Sequence, residues 1–139
     1  MADIIKDLEW RYAVKKFDSS KEIEASKLET IKKAFNLTAT SYGLQPIKML
    51  ILKNKDLQEQ LVQYSFGQQQ VAQASHLLIF CIEKNIDAEY ISAYFNKVKK
   101  VRGTSDSVLE PFKDALVNEF SNMDTNEIQQ WATNQAYLA

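Results

Sequence analysis

Thr38-Ala39-Thr40-Ser41-Tyr42-Gly43-Leu44-Gln45-Pro46-Ile47-Lys48-Met49-Leu50-Ile51-Leu52 is a run of small polar residues feeding into an apolar segment. Its second half, Ile47 to Leu52, predicts a β-strand closed by the turn residues Asn54-Lys55-Asp56. A second apolar run, His76-Leu77-Leu78-Ile79-Phe80-Cys81-Ile82, predicts another strand, hydrophobic enough to expect cover on both faces. Between them come a short helix with Leu57, Leu61 and Val62, then Gly67 opening Gln68-Gln69-Gln70-Val71-Ala72-Gln73-Ala74. Two buried strands joined by helical material imply layered helix and sheet.

On the N-terminal side, Ile4, Ile5 and Leu8 recur at helical spacing behind Asp3, a capping residue, with Tyr12 on the same face and the helix ending around Arg11. Asp18-Ser19-Ser20 forms a turn, and Leu28, Ile31, Ala34 and Phe35 make the apolar stripe of a second helix ending near Asn36. Its Lys27, Lys32 and Lys33 form a solvated face. On the C-terminal side the pattern is wholly helical. Ile91, Tyr94, Phe95 and Val98 share a stripe running from Asp87 to the break at Arg102-Gly103-Thr104-Ser105. Leu109, Phe112, Leu116 and Phe120 mark the next helix, with both phenylalanines assigned to the core. Asp124-Thr125-Asn126-Glu127 has the form of a capping box opening a last helix through Ile128, Trp131 and Leu138. No glycine cap or polar tail precedes Ala139, and two strands are few for a stable sheet. The expectation is a single domain over 1–139, incomplete at its C-terminal side, and either a fragment or completed by another chain.

A chain of 139 residues, 45% hydrophobic and 25% charged, fits one soluble domain with one core. Its net charge of −1 argues against a nucleic-acid partner, which calls for a basic excess, so any anion site must be local. Cys81, alone, allows no internal disulfide and lies in an apolar run where a thiol acts as a small hydrophobe. The N-terminus lacks the form of a signal peptide, and no apolar stretch approaches the about 20 residues needed to span a bilayer. A cytoplasmic location without membrane attachment is expected. His76, the only histidine, has no evident acid or nucleophile beside it and reads as structural. Asp87 with Glu89, or Asp106 with Glu110, gives no metal-ligand spacing with His or Cys, so no metal site is expected.

Chemistry is carried by Arg11-Tyr12-Ala13-Val14-Lys15-Lys16-Phe17-Asp18, where three cations leave the first helix ahead of an aromatic. This is either a solvated turn with Phe17 anchored in the core, or an anion grip in which the Arg11 guanidinium holds a phosphate through two hydrogen bonds. The residues alone leave both open.

That segment resembles the opening of the nitroreductase family. The resemblance continues through the loop ending Gln45-Pro46, Gly67-Gln68-Gln69-Gln70 leading to Ala74-Ser75-His76, and Gln130-Trp131-Ala132 to Gln135-Ala136-Tyr137-Leu138. It implies a helix-rich α+β fold, a three-layer α-β-α sandwich, working as a homodimer with flavin mononucleotide (FMN) at the subunit interface. NADH or NADPH would reduce FMN, which would then reduce electron-poor acceptors such as nitroaromatics or quinones in a ping-pong hydride mechanism. By the same resemblance, Arg11, Tyr12, Ala13 and Lys15 belong to the cofactor site. Arg11 would hold the phosphate and ribityl end, and Lys15 would lie by the N1 and C2 carbonyl edge, favouring the reduced anionic form. Gln70 would meet the pyrimidine edge with an amide that both donates and accepts. Ala39, Thr40, Ser41 and Gly43 would wrap the flavin of the other subunit. No residue is assigned acid or base catalysis. Ala13 stands where many relatives have Ser, and Gly43 and Gly67 where some have Asn, so those contacts would be missing. The alternative is a truncated, non-enzymatic module that binds flavin or dimerises.

Overall fold

The computed structural model describes residues 3–139, in two compact units. The first comprises residues up to Lys27 together with Ile51–Leu78, the second Leu28–Leu50 together with Ile79–Ala139. Strands β1 (Ile47–Leu52) and β2 (Leu77–Ile82) form a two-stranded sheet. The Glu83 N–H donates to the Pro46 carbonyl at 2.8 Å, which places the start of β1 beside the end of β2 and makes the pair antiparallel.

In the first unit, α1 (Ile4–Trp10) is capped by Asp3, whose carboxylate accepts from the Lys6 N–H at 3.4 Å. No residue of α1 is buried, and its apolar stripe lies open, so the cap and not packing defines the helix start. Helix α2 (Ala25–Leu37) starts here and continues into the second unit. The expected turn at Asn54 is instead the N-cap of α3 (Lys55–Leu61), accepting from the Leu57 N–H at 3.0 Å. A 3₁₀ turn (Val62–Tyr64) leads by a tight loop into α4 (Gln70–Gln73), a single helical turn.

In the second unit the buried core is Leu44, Ile86, Ile91, Phe95, Leu116, Phe120 and Ala132. Helix α5 (Ala88–Arg102) begins where the Asp87 carboxylate accepts from the Tyr90 N–H and ends at Gly103, φ 67°, whose N–H returns to the Lys99 carbonyl. It packs on α6 (Asp106–Ser121), joined at the turn by Lys99 and Asp106 at 2.6 Å. Helix α7 (Thr125–Leu138) opens with the expected capping box: Asp124 accepts from the Asn126 and Glu127 N–H groups, and Glu127 accepts from the Asp124 N–H at 2.8 Å.

Two expectations are corrected here. Strand β2 is not covered on both faces, since Phe80 is 43% exposed and Cys81 is exposed. Apolar content alone cannot report cover, and because consecutive strand residues point to opposite faces, both faces are partly open at this end of β2. Phe112 is not core either. It is 46% exposed at the rim of an aromatic cluster, whereas Phe120, two turns along the same helix, is 3% exposed.

Candidate functional site

In the first unit, α1 ends as the Arg11 backbone turns extended, φ −67° and ψ 143°, its N–H still donating to the Asp7 carbonyl. Arg11, Tyr12, Ala13 and Lys15 follow on exposed chain outside any helix or strand. Among the described residues, neither Arg11, Lys15 nor Lys16 has a carboxylate within ion-pair distance. Their donors are therefore available to an external anion. Phe17 corrects the solvated-turn account: it is 43% exposed, not a core anchor. The segment is instead held through its backbone, with the Phe17 N–H donating to Gln73 Oε1 at 3.1 Å and the Ile23 N–H donating to Ser75 Oγ at 3.2 Å. Those bonds bring the cationic stretch to the turn that carries Gln70. The Gln70 side chain is half-buried and engaged by none of the described residues. His76 Nδ1 lies 3.2 Å from Ser75 Oγ.

In the second unit, the loop with Ala39, Thr40, Ser41 and Gly43 is fixed from three helices. The Ser41 N–H donates to Gln135 Oε1 at 2.8 Å, from a side chain only 3% exposed, and Gln135 Nε2 donates to the Trp131 carbonyl. The Tyr90 hydroxyl reaches the Leu44 and Gln45 carbonyls at 3.0 and 3.2 Å. Tyr42, at φ 57°, stacks on Trp131 with centroids 6.1 Å apart, meets Phe112 and Phe120 edge-on, and donates to Glu119 at 3.0 Å. Donation to Glu119 holds the phenol above its usual pKa, with the carboxylate charge and slight desolvation adding. Thr40 Oγ1 accepts from the Gln45 N–H at 3.1 Å, leaving its proton free to donate, and the Ser41 hydroxyl is unengaged among the described residues. Gly43, at φ 71°, lies so close to α5 that a Cβ would stand 2.6 Å from the Tyr94 hydroxyl.

Beside this loop, a groove of about 420 Å³ is bordered by Thr38, Thr40, Gly43, Tyr94, Lys97 and Arg102. Ala39 and Ser41 sit exposed at the loop surface. Each unit thus gathers part of the expected set. Arg11, Lys15 and Gln70 share the first, and Ala39, Thr40, Ser41 and Gly43 the second. The supports Tyr42, Gln73 and Gln135 were not singled out from sequence. Gln135 alone left a trace there, a glutamine in register with the apolar Ile128 and Trp131.

Residues 8–134 match the model of the nitroreductase family. A Staphylococcus haemolyticus protein provisionally named NAD(P)H nitroreductase is 33% identical over 98% of this chain and 64% of its own length. Its Staphylococcus epidermidis counterpart is 32% identical over the same shares. The chain thus spans about 64% of the length of these relatives. Among solved structures, one provisionally called a nitroreductase from Bacillus subtilis superposes with a TM-score of 0.85 at 20% identity, over 99% of this chain and 66% of that one. Another from Exiguobacterium sibiricum, described in complex with FMN, gives 0.78 at 15% identity over 99% and 66%. The fold expected from the resemblance is the fold found.

Proposed function

The chain belongs to the nitroreductase family, and on that premise we propose that it is the FMN-binding part of an NAD(P)H-dependent oxidoreductase. The observation that carries this reading is the pairing of unneutralised Arg11 and Lys15 with the Gln70 turn, joined by the bond from Phe17 to Gln73.

The donor set fits the cofactor's chemistry. Arg11 offers a planar fork to a phosphate, Lys15 a point charge toward an electron-accepting ring edge, and Gln70 an uncommitted amide to a pyrimidine edge. The Thr40 and Ser41 hydroxyls are free to donate to a polyol or phosphate. FMN, when bound, supplies hydride transfer from NADH or NADPH to an electron-poor acceptor such as a nitroaromatic or a quinone. Arg11 then anchors, Gln70 orients, and Lys15 stabilises negative charge as it develops. None of these roles requires a side-chain acid or base.

We further propose a homodimer, supported by the exposed apolar residues Ile4, Ile5, Leu8 and Trp10 of α1. A cytoplasmic location is part of the same proposal; among the described residues no helix is long and apolar enough to cross a membrane. Replacing both Arg11 and Lys15 with Ala tests the site. Retained FMN should fall by at least about tenfold in affinity, the scale of one lost charge-assisted contact. Unchanged occupancy in the double variant would refute the assignment.

A further inference from the structure

Gln58 is the one described glutamine with no solvent exposure at all, at 0%. Its Nε2 donates to the Val71 carbonyl at 3.0 Å and the Ala74 carbonyl at 2.9 Å, while its buried Oε1 has no partner. One turn earlier, the exposed Lys55 sends its ammonium to the Ala72 and Ala74 carbonyls. The last carbonyls of a helix have no internal donor, and a lone turn such as α4 has little else to hold it. Two side chains of α3 thus supply four hydrogen bonds to three carbonyls at the end of α4. An orphan buried oxygen is destabilising, so a glutamine here is explained by what its amide nitrogen does.

We infer that Gln58 and Lys55 are positioning residues for the cofactor site, acting through α4. The same turn that they clamp presents Gln70 at its start and, through Gln73, fixes the Phe17 amide just after Arg11 and Lys15. A second link runs from Ser75 to Ile23, immediately beyond the clamped carbonyls. Loosening the end of α4 therefore releases the amide and the cationic stretch together, although neither Gln58 nor Lys55 belongs to the proposed ligand set. Ordering that segment at the moment of binding would consume part of the binding free energy.

This inference rests on the flavin reading above. FMN is titrated into the full chain and into the Gln58→Met, Lys55→Met and Lys55→Arg variants, following flavin fluorescence and the visible band, with thermal midpoints measured in parallel. Methionine fills the space of Gln58 without an orphan oxygen, and Lys55 is a surface residue, so each variant keeps its core. The expected result is an FMN dissociation constant about tenfold higher for Gln58→Met and several-fold higher for Lys55→Met, with an altered flavin band and recovery in Lys55→Arg. Lower thermal midpoints with unchanged FMN affinity and spectrum would overturn the inference and leave the flavin reading standing. A parent chain that binds no FMN would refute the flavin reading itself, and the positioning role with it.

Discussion

Gln135 and Ser41 lie 94 positions apart, yet the buried Gln135 Oε1 accepts the Ser41 N–H at 2.8 Å. Through that bond α7 is one of three helices that hold the small-polar loop, whose own backbone bonds are confined to a 3₁₀ turn. Gln135→Leu should cost about 1–3 kcal/mol, the penalty for an amide left without its acceptor, and speed exchange at the Ser41 amide. Urea unfolding with amide hydrogen exchange checks both.

Gly43 combines a left-handed backbone with contact to α5, so Gly43→Ala meets two obstacles at once. The conformational cost is about 1–2 kcal/mol, and the close approach to the Tyr94 hydroxyl adds to it. Combining it with Tyr94→Phe removes the oxygen but not the φ, so thermal stability should return in part. Full recovery would mean that the backbone is not strained.

Tyr42 supplies a pH dependence with a definite sign. Its phenol donates to Glu119 and its pKa is raised above 10.0, so the folded state binds this proton more tightly than the unfolded chain. The stabilisation is complete below pH 10 and is lost as pH rises through the higher folded value. Because Tyr42 stacks on Trp131, an alkaline titration should change Trp131 fluorescence over that range. In Tyr42→Phe the change should disappear.

The capping box of α7 gives a prediction independent of any ligand. Asp124→Ala removes the acceptor for two backbone amides, at about 1 kcal/mol, and should lower the chemical denaturation midpoint without changing its slope.

The sequence made the local signals legible. The Ile47 to Leu52 strand, the helical run from Asp87 to the break at Gly103 and the Asp124 capping box all rest on short-range chemistry and stand where expected. The burial of Phe112 and the cover of β2 were not legible, because cover on a face depends on what packs there from elsewhere in the chain. Among the cofactor residues, Arg11 and Lys15 stood out as charge clustered after a helix, whereas Ala39 to Gly43 drew their meaning from a family pattern. The supporting amides were silent for a physical reason: Gln58 falls in an apolar register with Leu57 and Leu61, and its two carbonyl partners lie 13 and 16 residues away. Pairings of that kind exist only once the chain has folded.

The most direct measurement is the absorbance spectrum of the purified chain after incubation with FMN and removal of free ligand, recorded anaerobically before and after NADH or NADPH. The account predicts retained flavin bands that bleach on adding the nucleotide and return when a quinone or nitroaromatic is added. A folded chain that emerges colourless would contradict it.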